Sequence, residues 1–99
     1  MIKISRGCNF HITFENGVTV SVLIGGGSYS DNHDDIDLIE LKQERQEFRS
    51  SNAEIAAWKT GGQWVTKELV TDTNDDVLGW QTPAQILAFL NRASNWGGK

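Results

Sequence analysis

The residues of this 99-residue chain that could do chemistry gather near its N-terminus and in its middle. Gly25-Gly26-Gly27-Ser28 follows a run of alternating apolar residues, and successive backbone N–H groups in such a turn can cradle a phosphate. The specific nucleotide signatures are missing: there is no Gly-x-Gly-x-x-Gly, and no Gly-Lys-Ser/Thr follows. The plain reading of the run is a pliable strand exit. Tyr29 beside it can stack on a base, anchor a partner, or lay its ring on the sheet. Asn32 and His33 extend this polar loop. Arg45 and Arg49 add guanidinium groups able to pair with a phosphate or with a partner's carboxylates.

Metal and catalytic patterns fare worse. Asp31, Asp34, Asp35 and Asp37 invite a calcium reading, but a twelve-residue calcium loop begun at Asp31 has Ile36 where glycine is required and Lys42 where a bidentate Glu belongs. Begun at Asp72, the same loop ends on Pro83. Cys8, His11 and His33 make three zinc ligand candidates where a structural site takes four. Nothing around Cys8 would depress its thiol pKa, and no Gly-x-Ser-x-Gly elbow is present. No pair of carboxylates sits in an apolar setting that would raise one pKa. The expectation is a non-enzyme with no metal and no cofactor.

The elements that must position these residues are readable in outline. Phe10, Ile12 and Phe14 alternate with polar residues up to Glu15-Asn16-Gly17, and Val18, Val20, Val22 and Ile24 alternate after it. Asn and Gly both tolerate positive φ, so this predicts a β-hairpin. Residues 25–50 read as a loop and insertion, with 38–50 either a short exposed helix or an extended arm. Ala53 to Trp58 predicts a strand, Lys59-Thr60-Gly61-Gly62 a turn, and Gln63 to Leu69 the returning strand of a second hairpin. Val77 to Trp80 fits a short fifth strand. Thr82, Pro83 and Gln85 spell a helix start with a capping box, and Ile86, Leu87, Phe89, Leu90 and Ala93 an apolar stripe. Residues 94–99 are expected to be a flexible tail. The predicted fold is α+β: four to five antiparallel strands in two hairpins, with one C-terminal helix packed on the sheet, in a single domain over 1–99.

Charge narrows the function classes. The net charge is −4, and the nine Lys and Arg are scattered, so direct nucleic-acid binding is not expected. No apolar run approaches the length of a membrane span, and the N-terminal residues lack the apolar core of a secretory signal. One cysteine cannot form an intrachain disulfide. Four tryptophans, Trp58, Trp64, Trp80 and Trp96, are many for this length. They either supply core area or form an exposed contact surface. Trp58 shares the parity of Glu54 and Ala56, so it and the Ile55–Ala57 set face opposite ways.

Several of these motifs together resemble a group of small bacteriophage and prophage proteins: Phe10-x-Ile12-x-Phe14-Glu15-Asn16-Gly17, Gly25-x-Gly27-x-Tyr29, Ala53-Glu54-Ile55-Ala56-Ala57-Trp58, and Gly79-Trp80-Gln81-Thr82-Pro83. The resemblance covers about two thirds of the chain by residue pattern and departs from it over 33–50. It implies an accessory phage product in the cytoplasm of the infected bacterial host. Such a product would bind and inhibit a host defence protein or sequester a nucleotide signal, as a homo-oligomer. The alternative is a structural protein without a small ligand, and behind it a divalent-metal enzyme. The expected contact residues are Gly25, Gly26, Gly27, Ser28, Tyr29, Asn32, His33, Arg45, Arg49 and Trp58.

Overall fold

A computed structural model describes residues 1–5, 9–25, 30 and 50–97. The helix or arm expected over 38–50 lies outside them except for Ser50. Five strands form one sheet: β1 (Ile2–Ser5), β2 (Asn9–Thr13), β3 (Val18–Leu23), β4 (Ala53–Lys59) and β5 (Val77–Gln81). Their spatial order is their chain order, and every neighbouring pair is antiparallel. Among the described residues there are two helices, α1 (Thr66–Leu69) between β4 and β5 and α2 (Pro83–Ser94) after β5. The α+β fold with a C-terminal helix against the sheet is as expected. The first strand was not anticipated, because Met1 to Ser5 is too short for its alternation to stand out.

One apolar row crosses the whole sheet. Ile4 faces Phe10, Phe10 faces Val22, Val22 faces Ile55, and Ile55 faces Leu78. Helix α2 covers the β3–β5 part of this face. Its Phe89 and Ala93 lie one turn apart, both buried against Val18, Val20, Ile55 and Ala57. Ile86 and Leu90 flank them, whereas Leu87 lies about 160° around the helix from Phe89 and points to solvent. The helix start is the one read from sequence: Thr82 Oγ1 accepts from the Gln85 N–H, and the Thr82 N–H donates to Gln85 Oε1 at 2.8 Å.

Two turns differ from expectation. In the β2–β3 hairpin only Gly17 takes positive φ, at 86°. The Gly17 N–H donates to the Phe14 carbonyl and the Phe14 N–H to the Val18 carbonyl, which makes a three-residue loop with glycine at the left-handed position. Asn16 thereby keeps its side chain for other work. Its Nδ2 reaches the Ala93 carbonyl at 2.8 Å and the Trp96 carbonyl at 3.0 Å, tying the hairpin tip to the end of α2. The Trp96 ring packs against the core and its Nε1 donates to Glu68 Oε1, so the first residues of the expected tail are anchored.

The returning strand of the second hairpin is cut short. Trp58 and Trp64 form a single bridge, the Val65 N–H donates to the Ala57 carbonyl, and the chain then coils into α1. Side-chain parity explains the switch. A strand through 63–69 would put Lys67 on the apolar face with Val65 and Leu69. A helical turn instead buries Val65, Thr66 and Leu69 and leaves Lys67 and Glu68 outside. The hydroxyl of buried Thr66 replaces the lost ladder: it accepts from the Ala57 N–H at 3.0 Å and donates to the Asp76 carbonyl at 2.6 Å.

Candidate functional site

The sheet face opposite α2 is polar at its edges and aromatic at its centre. Lys3, His11, Ser21 and Ala56 follow one register row across it, and Thr13, Thr19, Trp58 and Trp64 the next. Strands β2 and β4 are two strand spacings apart, about 9.5 Å. The short side chains of Thr19 and Ser21 on intervening β3 leave room above it. His11 from β2 and Trp58 from β4 lean together over that gap, with ring centroids 5.2 Å apart and planes at 85°. Trp64 completes the row on the far side of Trp58, at 5.6 Å and 82°. Both are edge-to-face contacts, the favourable geometry for rings with electron-rich faces.

The polar groups around the cluster are largely spent on one another. Thr13 and Thr19 share a hydroxyl hydrogen bond at 2.8 Å, and Asn9 Nδ2 donates to Ser21 Oγ at 3.0 Å. The indole N–H groups are not spent. Neither Trp58 nor Trp64 has a hydrogen-bond partner for its Nε1 among the described residues, unlike Trp96 on the other side of the sheet. Trp64 is 45% exposed. His11 is held below its ordinary pKa, first by burial and then by the Lys3 ammonium, so its imidazole is neutral at pH 7. The cluster therefore presents neutral ring surface with two donors that have no partner among the described residues, suited to burying an apolar or aromatic group that carries a hydrogen-bond acceptor.

Of the expected contact residues, Trp58 lies at the centre of this face. Gly25 is buried at the end of β3 with φ 99°. Gly26, Gly27, Ser28, Tyr29, Asn32, His33, Arg45 and Arg49 lie outside the described residues, as do Cys8 and the Asp31–Asp37 acids. Asp72 is exposed, and no group of three His, Cys, Asp or Glu able to hold a metal occurs among the described residues. His11, weighed in the sequence only as a metal ligand, is an aromatic neighbour of Trp58.

Trp64 was named among the four tryptophans but not among the expected contact residues, although its signal was present. Positions 58 and 64 are equidistant from Gly61, so a turn centred there brings the two indoles opposite each other. An open cleft of about 760 Å³ lies beside α2, with Leu78 and Phe89 in its floor and Asp72, Gln85 and Arg92 on its rim. Its rim is exposed, and the Arg92 guanidinium is turned to the Leu69 carbonyl at 3.3 Å.

No helix among the described residues is long and apolar enough to cross a membrane. Comparison with known proteins returns no matching family, no matching curated relative and no matching solved structure.

Proposed function

We propose that this chain is a non-enzymatic binding protein whose contact surface is the aromatic sheet face around Trp58 and Trp64. The partner is a protein of the bacterial host, bound and inhibited in the cytoplasm by an accessory phage product. The observation that supports the contact surface is a pair of tryptophans on the face opposite the core, with both indole N–H groups unpaired among the described residues. Tryptophan is the side chain most enriched in binding hot spots, and an unmet donor beside apolar ring surface gives such a contact direction. The host-directed role rests on the sequence resemblance alone. The nucleotide-sequestering version rests on the loop from Gly25 to His33, most of which lies outside the described residues.

The test is comparative capture from a bacterial lysate with the wild-type chain, Trp64→Ala and, as a control at an exposed apolar residue of α2, Leu87→Ala. The reading expects one or a few host proteins retained by the wild type and by Leu87→Ala, and lost or reduced at least about tenfold with Trp64→Ala. Equal retention by all three chains would refute the contact surface. A nucleotide released from the denatured wild-type protein, with no host protein captured, would refute the protein-partner reading.

A further inference from the structure

The two edges of the sheet are not alike. At β5 the ladder is interrupted: Ala53 faces Gln81 and Ile55 faces Leu78, so Gly79 and Trp80 together lie opposite Glu54. Trp80 takes a left-handed φ of 51°, and Pro83 follows directly after the strand. A bulge and a nearby proline are the ordinary devices that prevent an edge from pairing further. Strand β1 has neither. It pairs with β2 over four consecutive residues with no register shift, and the ladder continues to Met1, which exchanges both backbone hydrogen bonds with Thr13.

That exchange fixes the pairing phase. Met1, Lys3 and Ser5 direct their backbone groups at β2, so the N–H and C=O of Ile2 and Ile4 point away from the sheet. The same two residues are 64% and 67% exposed. Ile4 is also the outer end of the apolar row that runs through Phe10, Val22 and Ile55 to Leu78. An unbulged edge with free backbone groups and apolar side chains on one face is a template for another strand.

We infer that the occupant is the β1 strand of a second copy, paired antiparallel about a two-fold axis through Ile4. The outward residues of one copy then meet the outward residues of the other, and their apolar faces coincide by parity. Three registers satisfy this while pairing three or more of the residues Met1–Ser5. An axis through Lys3 sets the two ammonium groups directly opposite, which is destabilising. An axis through Ile2 leaves Ile4 beyond the paired residues and the apolar rows unjoined. The axis through Ile4 puts the two Ile4 side chains together, sets each Lys3 opposite a Ser5, and joins the two apolar rows into one across ten strands. The aromatic faces of both copies then lie on the same side of the joined sheet. This dimer does not depend on the reading of that face, but it would make the protein a bivalent binder.

Light scattering after size exclusion, at high micromolar concentration, reads the mass against the 11.0 kDa chain. The wild type is expected at twice that mass, and Ile4→Lys, which sets like charges opposite on the axis, as a folded monomer. With the only cysteine removed by Cys8→Ser, Ile4→Cys is expected to give a disulfide-linked dimer on mild oxidation, because directly opposed hydrogen-bonded residues lie about 5.5 Å apart. Ile2→Cys in the same background is expected to stay unlinked, its two copies being about 13 Å apart along the strands. A wild type that is monomeric throughout overturns the proposal, whether or not a foreign strand later binds it. So does a dimer indifferent to Ile4→Lys, or one linked through position 2 rather than position 4.

Discussion

Strand β4 has two faces, and they are built on opposite rules. On one, Ile55 and Ala57 are sealed under α2 by Phe89 and Ala93, and the hydroxyl of the buried Thr66 is fully used. On the other, Trp58 meets Trp64 and His11 edge to face, and its ring nitrogen has no partner among the described residues. Burial on the first face yields stability because the Thr66 hydroxyl is satisfied and Ile55, Ala57, Phe89 and Ala93 are removed from water. The second face keeps apolar ring area and donors in reserve. On the proposed reading, the strand spends one face on folding and offers the other for contact.

The contrast can be broken most sharply at Phe89. It is 1% exposed, and Phe89→Ala should cost about 3–5 kcal/mol of unfolding free energy, measured by denaturant titration. Thr66→Val is next. It keeps the shape but orphans the Ala57 N–H and the Asp76 carbonyl, for a loss of about 1–3 kcal/mol in the same assay. If Thr66→Val is neutral, the hydroxyl is not the substitute for the missing strand.

On the aromatic face the signs should reverse. Trp64→Ala removes one edge-to-face contact worth about 0.5–1.5 kcal/mol of stability, yet should abolish partner capture. A Trp64→Ala loss of several kcal/mol, the size of a core truncation, with capture falling only as the folded fraction falls, would show that the cluster is merely a second core. The smallest effect is electrostatic. The His11 pKa is lowered in the fold, so the unfolded chain binds that proton more readily. Stability from this residue is complete above the ordinary histidine value of about 6.5 and declines as pH falls from there through the folded-state value. Lys3→Gln removes the lesser of the two causes and should move the His11 titration, followed by its ring-proton resonances, part of the way back up.

What the chain disclosed in advance follows the length of its patterns. The β2–β3 alternation and the Thr82–Gln85 capping box are strong local signals, and both stand in the structure. Residues 63–69 misled because Gln63-Trp64-Val65-Thr66 begins as a strand. Only the position of Lys67, which would otherwise be buried, shows that the chain must coil. The left-handed position in the β2–β3 loop belongs to Gly17 alone, since Asn16 is needed at the end of α2. At the site, Trp58 was legible by parity, and Trp64 by its symmetry about Gly61. His11 was not, because its partner is two strands away and 47 positions along the chain, a proximity that only sheet register creates.

The central claim, that partners dock on the aromatic face, is met most directly by site-specific photo-crosslinking in living bacteria. A photoreactive phenylalanine analogue would replace Trp64 in one chain and exposed Leu87 of α2 in another. The account predicts a discrete crosslinked host protein from position 64 and none from position 87. Crosslinks from position 87 alone would contradict it.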